Sequence, residues 1–224
     1  MPTALITGAS RGVGAAVAHA LAPTHDLLLL ARPSDALTAV AGELDATAVA
    51  VDLTDHATVA QAVGAVTDLD VVVHSAGIAS SLRPVAETSA AEWRELMEIN
   101  VVAAAELTRL LLPALRAAGG HVVFLNSGAG QRVNPGWTPY AASKFALRAL
   151  ADGLRGEEPS LRVTSIYPGR IDTDMQREIV AREGGDYDPS QFLTAGTVAA
   201  AVAAAVAAPA DAHPTDVTLR PRAH

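Results

Sequence analysis

Tyr140 and Lys144 lie four residues apart in the alanine-rich stretch YAASKFALRAL, residues 140–150. Four residues advance an α-helix by about 6 Å and leave both side chains on nearly one face. A phenol and an ammonium then become neighbours, a pairing able to move a proton. The phenol's ordinary pKa of about 10 leaves little phenolate at neutral pH. Lowering it by about three units takes roughly 4 kcal/mol, which one cation about 4 Å away supplies at an effective dielectric of about 20. Taken alone, the pair fits a solvated helix face equally well.

Other residues have the means to hold an anion. The apolar run TALIT leads into TGASRGVG, residues 7–14, and then into the helical pattern AAVAHALA. Gly8, Gly12 and Gly14 allow a sharp turn and a close backbone approach, and a following helix offers free N–H groups and its positive dipole end. That suits a pyrophosphate, although G-x-x-x-G-x-G is not the G-x-G-x-x-G fingerprint and a plain tight turn is the alternative. Asn100 falls on the stripe Trp93, Leu96, Met97, Val101, Ala104, Leu107 and Leu111 of a helix opening with a capping box, Ser89-x-x-Glu92. A buried amide there must find partners, in the core or in a site. The seven histidines show no metal-ligand spacing, so no metal is expected.

The elements that must position these groups read as an α/β chain. Apolar runs at 3–7, 26–31, 47–51, 70–74, 121–126, 162–167 and 216–219 alternate with longer helical patterns. Most are continuously apolar, as strands covered on both faces require. The expectation is one domain, residues 1–224, built on a doubly wound, Rossmann-type sheet of seven mostly parallel strands with helices on both faces. In such sheets ligands sit beyond the strands' carboxyl ends. The polar segment at about 172–195 follows the sixth strand, so it either covers a site or is a surface excursion.

Half the residues are hydrophobic and there is no cysteine, which excludes disorder as a class, disulfides and thiolate chemistry. A net charge of −8 without a basic run argues against nucleic acid. The N-terminus lacks the basic start of a signal peptide, and TVAAAVAAAVAAP spaces Val198, Val202 and Val206 along one stripe, as a packing helix does. A cytoplasmic protein without a membrane segment is expected.

TGASRGVG together with YAASK resembles the short-chain dehydrogenase/reductase family in its single-domain form. The likeness continues through VDLTD, HSAG, INV, LNSGAG and YPGRIDTDM in the family's order. It implies catalytic roles for Asn100, Ser127, Tyr140 and Lys144. Ser127 and Tyr140 would donate to the substrate oxygen, Lys144 would also hold the nicotinamide ribose, and Asn100 would bind a water that relays protons from the lysine. Cofactor contacts are implied at Gly8, Ser10, Arg11, Gly12, Val13, Arg32, Asp52, Leu53, Ser75, Ala76, Gly77, Tyr140, Lys144, Pro168, Gly169, Ile171 and Thr173. Asp52 would meet the adenine; it also reads as a strand-end residue or helix cap. Ser75 stands where the family usually has Asn, which loosens an expected tie to the central strand.

The implied activity is hydride transfer between a nicotinamide cofactor and a ketone, aldehyde or alcohol. NADP(H) is expected over NAD(H), because the second strand ends without an acidic residue and Arg11 and Arg32 are available to clasp a 2′-phosphate, with Asp35 near enough to blunt Arg32. A catalytically silent nucleotide-binding regulator is a second reading. Reduction of carrier-bound 3-oxoacyl groups is a third, with Arg132, Arg170 and Arg177 as the basic patch it would need. A homodimer or homotetramer is expected through residues 93–112 and 140–154, where Leu110, Leu111 and Leu112 exceed what one buried face needs.

Overall fold

Every one of the seven apolar runs forms a strand. In a computed structural model that describes residues 1–209 and 211–222, the strands are β1 (Thr3–Thr7), β2 (Asp26–Ala31), β3 (Thr47–Ala50), β4 (Val71–His74), β5 (His121–Leu125), β6 (Arg162–Pro168) and β7 (Asp216–Leu219). The expected domain end at residue 224 lies outside the described residues. All pairings are parallel, in the order β3-β2-β1-β4-β5-β6-β7. The helices between them are α1 (Gly12–Leu21), α2 (Asp35–Glu43), α3 (His56–Val63), α4 (Ala90–Met97), α5 (Ala103–Ala118), α6 (Thr138–Glu157), α7 (Asp174–Glu183) and α8 (Ala195–Val206). This is the doubly wound α/β fold that the alternation implied.

The central strands are apolar throughout because both their faces are covered. Ile6, Leu29, Val73, Val123 and Ile166 face α1 and α8, whose Val17, Val198 and Val202 complete one core. Leu5, Leu30, Val72, Val122, Phe124 and Val163 face α3, α5 and α6 and form the other. Edge strands β3 and β7 are half-buried to exposed. Val198, Val202 and Val206 form the buried stripe of α8, and among the described residues no helix is long and apolar enough to cross a membrane.

The long helix between β4 and β5 is interrupted by a π-helical turn, Glu98–Val102, centred on Asn100. A π turn shifts the register by widening the hydrogen-bonded ring, and such turns recur at functional sites. Only half of the expected capping box forms at its start. Ser89 Oγ accepts from Glu92 N, whereas the Glu92 carboxylate accepts from Ser81 N at 2.7 Å and Ser81 Oγ at 3.0 Å. Tertiary hydrogen bonds outcompete the local one. The leucine run is also absorbed internally: Leu111 is buried, and Leu110 and Leu112 pack on the same core. The exposed apolar side chains on these helices are Val102 and Phe145 instead.

Segment 172–195 contains α7, a 3₁₀ turn at Pro189–Gln191, and a strand-like bridge from Ile171 to Leu193. Thr173 caps α7, and Gly184 closes it with a left-handed φ of 72°.

Candidate active site

Strand order reverses between β1 and β4, and the turns after these strands meet there. Thr7 Oγ1 accepts from Ser75 N at 3.0 Å and Ala76 N at 3.1 Å, so backbone groups tie the two turns. The Ser75 side chain takes no part in that tie. Gly8 has φ +65°, and a Cβ there would stand 2.9 Å from Ala76 Cα; one on Gly14 would stand 2.2 Å from Gly8 O. Larger residues are excluded at both positions. Arg11 occupies the N-cap of α1 without a side-chain cap bond, so the first N–H groups of the helix, at Gly12 and Val13, meet no capping side chain.

Asn100, Ser127, Tyr140 and Lys144 converge beside this turn. Asn100 Oδ1 accepts from Ile78 N at 2.8 Å, and its Nδ2 donates to Ile78 O at 3.1 Å and Ser143 Oγ at 3.0 Å. The amide is thus satisfied within the protein while facing Gly77, whose added Cβ would lie 3.0 Å from Asn100 Oδ1 and 3.8 Å from Lys144 Nζ. Lys144 is 5% exposed. Its Nζ donates to Leu125 O at 3.1 Å and lies 5.8 Å from the Tyr140 ring centroid. Ser127 Oγ accepts from Ala129 N at 3.1 Å, which leaves its O–H free to donate outward. Trp137 packs edge-on to Tyr140, with ring centroids 5.8 Å apart.

The electrostatics correct one expectation. Burial pushes the Tyr140 phenol above its ordinary pKa, against a smaller opposing pull from the Ser127 hydroxyl. Burial also lowers Lys144 to about 8. Both shifts come from desolvation, and Lys144 Nζ donates to the Leu125 carbonyl. Tyr140 is held as an acid.

Pro168 ends β6 opposite Leu219, and the next residue, Gly169, donates its N–H to Leu219 O at 2.8 Å. Thr173 Oγ1 accepts from Gln176 N and donates to Ile171 O, each at 3.3 Å. Its methyl lies 3.6 Å from the Cβ position of Gly12, so the start of α7 roofs the glycine turn. Arg11 reaches across to Asp174 of α7 at 3.5 Å rather than standing free. Arg32 is exposed after β2, and its charge lowers the pKa of Asp52 behind the stronger effect of hydrogen bonds from Thr54. Asp35 forms no ion pair with Arg32 among the described residues. Leu53, next to Asp52, packs on the core. The basic patch is mostly spent. Arg170 pairs with Glu183, and Arg177 pairs with Asp172 and lies over the Tyr187 ring.

The family model described as short chain dehydrogenase matches residues 2–184. The chain belongs to that family. It is therefore an oxidoreductase, as the resemblance implied. A Mycobacterium tuberculosis relative, named an uncharacterised oxidoreductase, is 35% identical over 98% of this chain and 90% of its own length. An alcohol dehydrogenase from the archaeon Thermococcus sibiricus, solved with 5-hydroxy-NADP, superposes with TM-score 0.89 at 29% identity, covering 99% of this chain and 97% of its own. A short chain dehydrogenase from Shigella flexneri, solved with NADP, gives TM-score 0.88 at 28% identity, covering 97% and 96%.

Three further residues of this short chain dehydrogenase support the constellation. Ser143 Oγ donates to Tyr140 O at 2.7 Å while accepting from Asn100. Asn126 accepts from Ser127 N at 2.8 Å and donates to Lys144 O at 3.1 Å. Arg220, after β7, reaches Tyr167 O at 2.8 Å and Gln131 Oε1 at 3.0 Å. Ser143 and Asn126 are polar residues in buried patterns, a signal the sequence offered; Arg220 meets its partners only through sheet topology.

Proposed function

We propose that this protein is an NADP(H)-dependent dehydrogenase/reductase that interconverts a ketone or aldehyde with its alcohol. The observation that carries the reading is the convergence of Ser127, Tyr140 and Lys144 beside a helix N-terminus without a side-chain cap. That the two related structures hold NADP-type molecules supports the choice of cofactor. The chain works as one Rossmann-type domain, cytoplasmic and homo-oligomeric, with 172–195 covering the site.

The turn fits a dinucleotide, because Gly8 and Gly14 let the chain fold tightly against the Ala76 and Gly8 backbone and α1 presents its first N–H groups with no capping side chain over them. Gly8, Ser10, Gly12 and Val13 would hold the pyrophosphate, and Arg11 and Arg32 the 2′-phosphate. Asp52 and Leu53 would border the adenine, and Ser75, Ala76 and Gly77 the adjoining ribose. Tyr140 and Lys144 would meet the nicotinamide ribose, with Pro168, Gly169, Ile171 and Thr173 around the carboxamide. When bound, the cofactor supplies or accepts the hydride.

The protein's own groups handle the oxygen and the proton. Ser127, its lone pair engaged by Ala129 N, donates its hydrogen to the substrate oxygen. Tyr140, protonated at neutral pH, delivers the proton as negative charge develops there. Lys144 carries positive charge below about pH 8 and stabilises the phenolate left behind. Asn100 fixes the Ile78 backbone and Ser143, so its part is to hold this geometry and, through a bound water, to resupply the proton.

The test is a panel of ketones, aldehydes and quinones incubated with the purified protein and NADPH or NADH, followed by cofactor absorbance. Oxidation of NADPH by some members, lost in Tyr140→Phe, is the expected result. Tight NADPH binding with no turnover on any member would favour the silent regulator.

A further inference from the structure

The turn that carries Ser127 is gripped from two sides. From inside, the buried Asn126 ties Ser127 N to the backbone of α6 at Lys144. From outside, the guanidinium of Arg220 lies flat against Gly128, where a Cβ would stand 3.4–3.5 Å from its Nη1, Nη2 and Cζ. Its Nη1 donates to Tyr167 O at 2.8 Å and Leu219 O at 2.9 Å, and its Nη2 to Gln131 Oε1 at 3.0 Å. Gln131 Nε2 in turn donates to Thr218 Oγ1 at 3.3 Å. The next residue, Pro221, presses on the segment after β6: a Cβ on Gly169 would stand 2.7 Å from its Cδ. No carboxylate of the described residues forms an ion pair with Arg220, so its fork serves carbonyl and amide oxygens alone. A planar fork satisfying three oxygens in fixed directions is a positioning device that a lysine does not reproduce.

We propose that Arg220 is a positioning residue for the reaction, clamping the Ser127–Gly130 turn to the ends of β6 and β7 and so aiming the Ser127 hydroxyl at Tyr140. The proposal rests on the role given to Ser127 above. Removing the clamp frees the outer side of the turn while Asn126 still anchors its inner side, so the serine wanders without the fold being lost. Misplacement of about 1 Å at such a site costs up to about a hundredfold in rate.

The experiment labels tyrosine at ¹³Cζ and assigns the Tyr140 resonance by its loss in Tyr140→Phe. Shifts are then measured at about pH 8 in the wild type and in Ser127→Ala, Arg220→Ala, Arg220→Lys, Gln131→Ala and Arg222→Ala. Because the proposed mechanism brings the Ser127 hydroxyl and the phenol to one substrate oxygen, Ser127→Ala is expected to displace the resonance. The expected result is that Arg220→Ala displaces it in the same direction by at least half as much, with no further change in the double variant. Gln131→Ala and Arg220→Lys fall between, and Arg222→Ala, which removes a charge two residues further along the chain, matches the wild type. Where the panel yields a substrate, kcat falls about tenfold in Arg220→Ala with KM nearly unchanged. An unmoved resonance in both Arg220→Ala and Gln131→Ala, with Ser127→Ala displaced, overturns the clamp. An unmoved resonance in Ser127→Ala itself overturns the Ser127–Tyr140 coupling instead. Should Arg220→Ala not fold, Gln131→Ala decides.

Discussion

Asn100 Nδ2 donates to Ser143 Oγ at 3.0 Å, and Ser143 Oγ donates to Tyr140 O at 2.7 Å, so the π turn of one helix is bonded to the backbone that bears the phenol. Through Ile78 the same amide also holds the turn after β4. Two helices and the turn after β4 thereby share one buried side chain. Asn100→Ala would leave Ile78 N and O and Ser143 Oγ short of partners, at roughly 1–3 kcal/mol for each group left unsatisfied. The expected outcome is a lower unfolding midpoint together with reduced kcat. A variant with unchanged stability in denaturant titration would contradict this account of Asn100.

Tyr140→Phe keeps the ring against Trp137 and removes only the proton donor. NADPH affinity is expected to stay within a few fold of the wild type, with kcat reduced by at least about a thousandfold. Near-normal turnover would sink the proposed chemistry.

Lys144 is a charge kept in the interior at a cost to the fold. Its folded pKa is depressed to about 8 by burial, so the stabilising balance shifts against the folded state as pH falls from the unfolded value of about 10.4 through 8. Below pH 8 the penalty is fully present. Lys144→Met is therefore expected to gain about 1–3 kcal/mol of stability at pH 7, net of the lost bond to Leu125 O, while activity disappears. Melting curves and assays on the same preparation check both halves.

Buried His74 and His121 make the protein acid-sensitive. Burial lowers both to about 3, and for His121 the charges of Arg162 and His213 add to it. A folded-state pKa below the unfolded value means that their stabilisation is complete above about pH 6.5 and is lost as pH falls toward 3. The slope is about 1.4 kcal/mol per pH unit for each histidine. Urea unfolding between about pH 7 and pH 5 measures it, and His74→Asn with His121→Asn is expected to flatten the dependence.

NADPH is expected to be preferred over NADH by about a hundredfold, if Arg11 and Arg32 each contribute about 1.5 kcal/mol net toward the 2′-phosphate. Arg11 must first leave Asp174, an exposed pair worth at most about 1 kcal/mol. Asp174→Asn should thus tighten NADPH binding by no more than about fivefold, and Arg11→Ala plus Arg32→Ala should erase the preference. Comparing kcat/KM for both cofactors at fixed ionic strength decides. A wild type that prefers NADH refutes the assignment.

Val102 and Phe145, 41% and 39% exposed on the helices proposed to join subunits, are the apolar groups available for assembly. Phe145→Glu is expected to reduce the particle to the 22.9 kDa chain in light scattering. A wild type already at that mass removes the proposed assembly.

By itself the sequence determined the sheet, because strands covered on both faces need unbroken apolar runs, and it determined the glycine turn, because only glycine tolerates the contacts at positions 8 and 14. It also put Tyr140 and Lys144 on one helix face, since that relation is local. Tertiary structure alone decided what those neighbours do to each other: desolvation, set by everything packed around them, raised the phenol and lowered the amine. It decided that Glu92 serves Ser81, that Arg11 meets Asp174, that Asn100 sits in a π turn, and that Arg220 grips a turn 89 residues away along the chain through Gln131. The Arg11–Asp174 and Arg220–Gln131 contacts join groups far apart in sequence, and their meeting follows from strand order, which local pattern does not encode.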